Sequence, residues 1–272
     1  MPESNLKKKN QVILETRELT KIFGGLTAVG TFDLTVHEGE ISSLIGPNGA
    51  GKTTVFNAVT GIYRPEGGRI LFNNEDITGK KPHQIVAKGI ARTFQNIRLF
   101  STMTCLENIM AGQHCRASAG MWASIFRTNR QRGEEKRALE IAESRVRQVM
   151  LWDARNELAQ NIAYGSQRML EIARALATEP KLLVLDEPSS GLNPRETEDL
   201  MTFLKNLIRN ENVTILLIEH DMNVVMGISD WVTVMDGGQK IAEGTPKAVY
   251  NNPRVIEAYL GTDDDEDDEE IS

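Results

Sequence analysis

Nine consecutive residues, Gly46-Pro47-Asn48-Gly49-Ala50-Gly51-Lys52-Thr53-Thr54, have the types and order needed to hold a phosphate chain. They satisfy the pattern G-x-x-x-x-G-K-[ST] in full. Gly49 and Gly51 let backbone N–H groups curl around phosphate oxygens, aided by the positive end of a following helix. Lys52 supplies a point charge to the β- and γ-phosphates, and the Thr53 hydroxyl can ligate Mg²⁺. A tight strand-to-helix turn is the plainer alternative, and the complete pattern favours nucleotide binding over it.

The second chemical group closes the run Leu182-Leu183-Val184-Leu185-Asp186-Glu187-Pro188. Four apolar residues ending in two acids put those carboxylates at the carboxyl end of a strand, where open α/β sheets bind ligands. Asp186 would hold Mg²⁺ through its water shell, and Glu187 would orient or deprotonate an attacking water. By itself such a run is a weak signal. Downstream of a phosphate loop it becomes the other half of a site.

The elements that position these residues are legible in outline. Short strands open the chain, at Val12–Leu19 and Thr31–Val36, and Glu40–Ile45 runs as a strand straight into the glycines. A helix starts at Lys52 and closes near Gly61; Pro65, Gly67 and Gly68 then turn the chain into another strand. From about Thr104 to Leu158 the spacing is helical, with Ala138, Ile141, Ala142, Val146, Val149 and Met150 placed near one helix face. Two further buried strands, KLLVLDEP and VTILLIEHD, flank a helix over 194–210. Buried strands alternating with helices predict an α/β fold with a mainly parallel core sheet, a β-rich beginning and a helical subdomain. We expect one domain over 10–261, with the helical subdomain at about 104–178.

Composition narrows the classes further. The 272 residues are 40% hydrophobic and 25% charged, an ordinary globular balance. The net charge of −7 is owed to one block, DDDEDDEE at 263–270, so the rest is near neutral and offers no basic footprint for nucleic acid. Residues 262–272 read as a solvated, disordered tail. No window approaches the roughly 18 apolar residues of a membrane span, and MPESNLKKKN does not lead into an apolar signal region. Cys105 and Cys115 are too few for a disulfide framework and read as inert, reduced thiols. Trp122, Trp152 and Trp231 read as packing residues, and Lys7–Lys9 as a solvated terminus.

Four more stretches carry a resemblance to the ATP-binding cassette (ABC) ATPases, which are P-loop NTPases. Gln95 after GIARTF matches that family's glutamine loop, and Ile162-Ala163-Tyr164-Gly165-Ser166-Gln167 with the helix after it resembles the family signature. Ser190-Gly191-Leu192-Asn193 resembles the loop that faces a partner cassette, and His220 ends the next strand where the family has its switch histidine. The similarity runs from about Val12 to Gly261. AYGSQRMLEIARAL, LLIEHDMNVVMGISD, EAYLG and the helical insert GQHCRASAGMWASIFRTN look most like the LivG-type subunits of branched-chain amino acid importers.

The resemblance implies roles residue by residue. Glu187, His220 and Gln95 would be catalytic, Gln95 sensing both Mg²⁺ and the attacking water; Thr53, Gln95 and Asp186 would hold the metal. Phe23 stands where the family stacks a tyrosine on adenine. Ala163 stands where the family's LSGGQ serine meets the γ-phosphate, with Gly165 retained and a helix over 166–178 following. Asn193 replaces a usual aspartate. ATP and Mg²⁺ are the implied cofactors. The implied partners are a second cassette, copy or paralogue, closing head-to-tail around two nucleotides, then integral membrane permease subunits and, indirectly, a substrate-binding protein. Residues 99–104 would help form the groove for a membrane-subunit helix, at the cytoplasmic face of the bacterial inner membrane. Lipopolysaccharide export and non-transport cassette work are the alternatives.

Overall fold

In the computed structural model, residues 11–113 and 129–266 are described. Two strands, β1 (Val12–Phe23) and β2 (Leu26–His37), form a hairpin through Gly24-Gly25, both at positive φ. β4 (Gly67–Phe72) and the short β5 (Glu75–Asp76) complete an antiparallel sheet in the order β2-β1-β4-β5. Both opening strands are longer than the sequence pattern suggests.

The second sheet has the order β10-β9-β3-β8-β7-β6. β3 (Ile41–Ile45), β6 (Ile90–Arg92), β7 (Leu182–Asp186), β8 (Thr214–Ile218) and β9 (Trp231–Asp236) run parallel; β10 (Gln239–Gly244) is antiparallel to β9. Along β7, Leu182 and Val184 enter the core shared with the antiparallel sheet, while Leu183 and Leu185 enter the core on the opposite face. β8 alternates likewise, with Leu216 and Ile218 on one side and Ile215 and Leu217 on the other. A strand covered on both faces has no polar side to show, which is why these runs are continuously apolar.

Helix α1 (Lys52–Val59) lies in the first core through Val55, Phe56, Ala58 and Val59. The short α2 (Pro82–Lys88) precedes β6. Helix α5 (Tyr164–Leu176), α6 (Pro194–Glu211) and α7 (Met222–Ile228) cover the opposite face through Ile172, Leu200, Leu204, Leu207, Val224 and Ile228. The helical subdomain packs α3 (Cys105–Gly112) and α4 (Asn129–Gln148) on α5, with Cys105, Ile109, Ala142, Val146 and Leu170 buried together. Burial pushes the Cys105 thiol upward, away from the reactive thiolate.

Met150 departs from the expected apolar face, since it is 92% exposed. α4 ends in a Schellman turn: Leu151 N donates to Val146 O at 2.9 Å and Met150 N to Arg147 O at 3.0 Å. Met150 takes the left-handed position of that turn, at φ 59°, and so points out while Leu151 packs back into the cluster. The chain ends with α8 (Pro246–Tyr250) and α9 (Pro253–Glu266). The backbone helix α9 thus runs past the boundary expected at 262. Lys7–Lys9, Cys115, Trp122 and residues 267–272 lie outside the described residues. Among the described residues no helix is long and apolar enough to cross a membrane.

Candidate functional site

β3 delivers the chain into the glycine loop, and α1 leaves it. Gly46, Gly49 and Gly51 have φ of 148°, 76° and 101°. A Cβ on Gly46 would stand 1.9 Å from the Met235 carbonyl oxygen on β9, and one on Gly51 would stand 2.5 Å from that of Ala28 on β2. The loop is wedged between two strands, so these positions need glycine for space as well as for φ. Gly238 N donates to Ala50 O at 3.0 Å and pins the loop from the β9–β10 turn.

Lys52 is buried beneath the loop, its Nζ donating to Gly46 O at 2.7 Å and Pro47 O at 2.8 Å. Desolvation lowers its ammonium below the usual lysine range, and the Glu187 and Asp186 carboxylates pull it partly back. Thr53 is exposed and Thr54 half-buried on the first turn of α1, which holds no acid and no side-chain cap. Its first N–H groups are therefore left to an anion.

The second half-site lies at the carboxyl ends of β7 and β8. Asp186 is buried, with its Oδ2 accepting from Arg92 Nη2 at 2.7 Å. Glu187 follows in a left-handed conformation, φ 46°. Its Oε2 accepts from Gln95 Nε2 at 2.9 Å and lies 3.6 Å from His220 Nδ1. Gln95, Glu187 and His220, far apart in sequence, converge on one carboxylate oxygen, and the His220 side chain is 60% exposed.

Two residues of this half-site were not singled out from the sequence. Arg92 ends β6, and Glu219 follows β8. Glu219 is wholly buried, its Oε1 accepting from Ser189 N and Oγ and its Oε2 from His220 N. It ties His220 to the start of the Ser190–Asn193 loop. A charge directly abutting the apolar run at 213–218 was the available hint.

Phe23, at the end of β1, is 40% exposed. It meets Tyr63 edge-on at 5.1 Å, and Lys21 Nζ lies 4.9 Å from its ring centre.

At the signature, α5 starts at Tyr164, two residues before the expected Ser166, with Ala163 as an N-cap lacking a side-chain bond. Ala163 and Tyr164 are exposed, Gly165 is buried, and Ser166 and Gln167 are half-buried. A Cβ on Gly165 would stand within 2.4 Å of Glu196 Oε1, and the Tyr164 hydroxyl donates to Ser190 O at 3.3 Å. Gln167 Nε2 donates to Ile162 O at 2.9 Å. Among the described residues, none of 163–167 hydrogen-bonds to 46–54. The signature instead shares one face with the 190–193 loop.

Asn193 caps α6: its Oδ1 accepts from Arg195 N and Glu196 N, both at 3.0 Å, while Glu196 Oε2 accepts from Asn193 N. An asparagine serves this cap as well as an aspartate would. Asn193→Ala is expected to destabilise the chain by about 1 kcal/mol and Asn193→Asp by much less, read as melting temperatures.

The profile of the ABC transporter family matches residues 29–190, enclosing the phosphate loop, Gln95, the signature and Glu187. The chain belongs to the ABC transporter ATP-binding cassettes. A second profile, for the branched-chain amino acid ATP-binding cassette transporters, matches residues 239–265, from β10 into α9. This cassette is 49% identical to the branched-chain amino acid transport ATP-binding protein BraF of Pseudomonas aeruginosa, over 92% of this chain and 98% of that one. With LivG of Escherichia coli it shares 47% identity over 93% and 99% of the two chains. A nucleotide-free ATP-binding cassette from an ABC transporter superposes with a TM-score of 0.80 at 34% identity, covering 92% of this chain and 99% of that one.

Proposed function

We propose that this cassette is the ATP-hydrolysing subunit of an importer of branched-chain amino acids, and that residues 46–54 and 186–187 with Gln95 and His220 are its working site. The observation that carries the catalytic assignment is the meeting of Gln95 and His220 on Glu187, beside the buried ammonium of Lys52.

The donors near the loop suit Mg²⁺. Among the described residues no three His, Cys, Asp or Glu side chains gather as a metal cage. What the site offers is a hydroxyl from Thr53, a carboxylate from Asp186 and the amide oxygen of Gln95. A few hard oxygen donors leave room for water and phosphate oxygens, the arrangement Mg²⁺ prefers. When bound, Mg²⁺ neutralises charge on the β- and γ-phosphates.

The residues then divide the work. Phe23 stacks on the adenine, and the loop N–H groups with Lys52 hold the phosphate chain. Glu187 takes a proton from water as the water oxygen bonds to the γ-phosphorus, and the bond to the β–γ bridging oxygen breaks to release ADP and phosphate. Gln95 orients that water, and His220 holds the γ-phosphate. Each chain offers one loop and one signature, whose Ala163 and Tyr164 are exposed, so we assign Ala163–Gln167 to the nucleotide of a second cassette, copy or paralogue, in a head-to-tail pair.

The remaining partners follow from the transporter reading: integral membrane permease subunits at the cytoplasmic face of the inner membrane and, through them, a substrate-binding protein. Phe100 and Met103, exposed on the segment after Gln95, suit a docking helix of a membrane subunit. The high identity to branched-chain subunits over nearly the full length favours this cargo over lipopolysaccharide export or non-transport work.

Lys52→Ala tests the phosphate assignment. Loss of a buried charge-assisted bond is worth about 1.5–3 kcal/mol, so ATP affinity is expected to fall about 10- to 100-fold. Equilibrium titration with a fluorescent ATP analogue reads it. Unchanged affinity would remove the loop from the site.

A further inference from the structure

Arg92 is the one charged residue in the three-residue strand β6, and its side chain is almost wholly buried. Both arms of its guanidinium are engaged, in different elements. Nη2 donates to Asp186 Oδ2 at 2.7 Å, at the end of β7. Nη1 donates to Asn57 Oδ1 at 2.6 Å and to Thr60 Oγ1 at 3.0 Å, on and just after α1. Phe94 and Phe56 lie against the group, with ring centres 5.0 and 5.9 Å from its central carbon. Asn57 is four residues, one helical turn, beyond Thr53 on the same helix.

From this bridge we infer that Arg92 is a positioning residue of the magnesium site, clamping the Asp186 carboxylate to the helix that carries Thr53. The inference rests on the reading above that Thr53 and Asp186 share one cation. Those two groups come from different elements, 133 positions apart in the chain, and each needs a fixed distance to the other for both to reach an octahedral ion and its waters. Arg92 supplies that distance. It fixes Oδ2, so Oδ1 is the oxygen left for the hydrated ion.

A buried ion pair is weak evidence for stability, because desolvation of both charges offsets their attraction. What it fixes well is geometry: a planar fork binds two partners in one orientation, and an ammonium cannot. Charge balance is a competing account of Arg92, since Lys52 and Arg92 stand near Asp186 and Glu187. The two accounts part at Asn57 and Thr60. Removing that amide together with the Thr60 hydroxyl leaves the Arg92–Asp186 pair and its charges intact and cuts the hydrogen-bonded tie to α1.

The test uses the full-length chain and reads nucleotide binding in the absence of turnover. ATP-analogue affinity is titrated against Mg²⁺ for wild type, Arg92→Lys, the Asn57→Ala, Thr60→Val pair and all three together, and Mn²⁺ with ATP is followed by electron paramagnetic resonance. Loss of a residue that orients a metal ligand costs roughly 10- to 100-fold in metal affinity. Arg92→Lys is therefore expected to raise half-saturating Mg²⁺ about tenfold and to change the Mn²⁺ spectrum, with metal-free ATP affinity held within about twofold. The Asn57→Ala, Thr60→Val pair should shift the Mg²⁺ curve in the same direction by less, and all three substitutions together no further than Arg92→Lys. Should Arg92→Lys fail to fold, the Asn57→Ala, Thr60→Val pair decides: an unshifted Mg²⁺ curve overturns the clamp. A lower melting temperature with an unchanged Mg²⁺ curve in both variants would make Arg92 purely structural, and also overturns it. A wild-type chain whose ATP affinity ignores Mg²⁺ overturns the metal reading on which the inference stands.

Discussion

Glu187→Gln is expected to lower steady-state ATP hydrolysis by about two to four orders of magnitude, the usual range for a general base, while ATP affinity stays within about twofold. The substitution keeps side-chain length and planarity and removes only the basic oxygen. The surroundings show why affinity should survive. Glu187 is held by its backbone, N donating to Ile218 O at 3.0 Å and O accepting from Ser190 N at 3.2 Å, so its left-handed conformation does not depend on the carboxylate. Backbone strain of this kind persists only where surrounding bonds over-determine it. Lys52 and the loop N–H groups, to which we assign the phosphates, are left as they were. With hydrolysis blocked, ATP should keep favouring the head-to-tail pair proposed above, so association should outlast nucleotide addition by many turnovers. Phosphate release and light scattering in Mg²⁺ and ATP read the two effects. Wild-type turnover in this variant would strip Glu187 of its role.

The phosphate-loop half of the proposed site was legible because its chemistry is contiguous. A phosphate cradle needs glycines, a lysine and a hydroxyl in one loop, so spacing carries the whole signal. Asp186 and Glu187 were legible because a doubly covered strand must be apolar, and two acids at its end break that rule visibly. Arg92 and Glu219 break it too, yet their partners are 94 and 30 residues away, and no local period reports such a pair. The start of α5 was misplaced for a related reason. Its N-cap, Ala163, makes no side-chain bond, so the sequence holds no capping signal there. At α6 the opposite holds: Asn193-Pro194 with Glu196 writes a capping box into the sequence, and the helix begins at Pro194 as read. Met150 was misread because periodicity cannot see a Schellman turn that closes without glycine.

The loop glycines allow a graded test of how far tertiary packing, beyond φ alone, dictates this motif. Gly46 at φ 148° occupies a region nearly closed to other residues, and a new Cβ would meet the Met235 carbonyl oxygen at 1.9 Å. Backbone oxygen on a core strand cannot step aside, so β3 and β9 would have to part. Gly46→Ala is expected to cost about 4 kcal/mol or more, the range of severe single substitutions, and to abolish ATP binding in whatever remains folded. Gly49 is a matched control: its φ of 76° is also left-handed, but nothing lies within 4 Å of a Cβ built there. Gly49→Ala should cost only about 1–2 kcal/mol, the intrinsic left-handed penalty. It leaves the fold intact and reports whether the empty side of the loop is where phosphate sits, because a methyl group there would then lower ATP affinity. Gly133, on α4 with open space around it, should gain about 0.5–1 kcal/mol as alanine. Chemical denaturation with ATP-analogue titration orders the three. Equal losses at Gly46 and Gly49 would mean that φ alone sets the requirement and that the contact with β9 is dispensable.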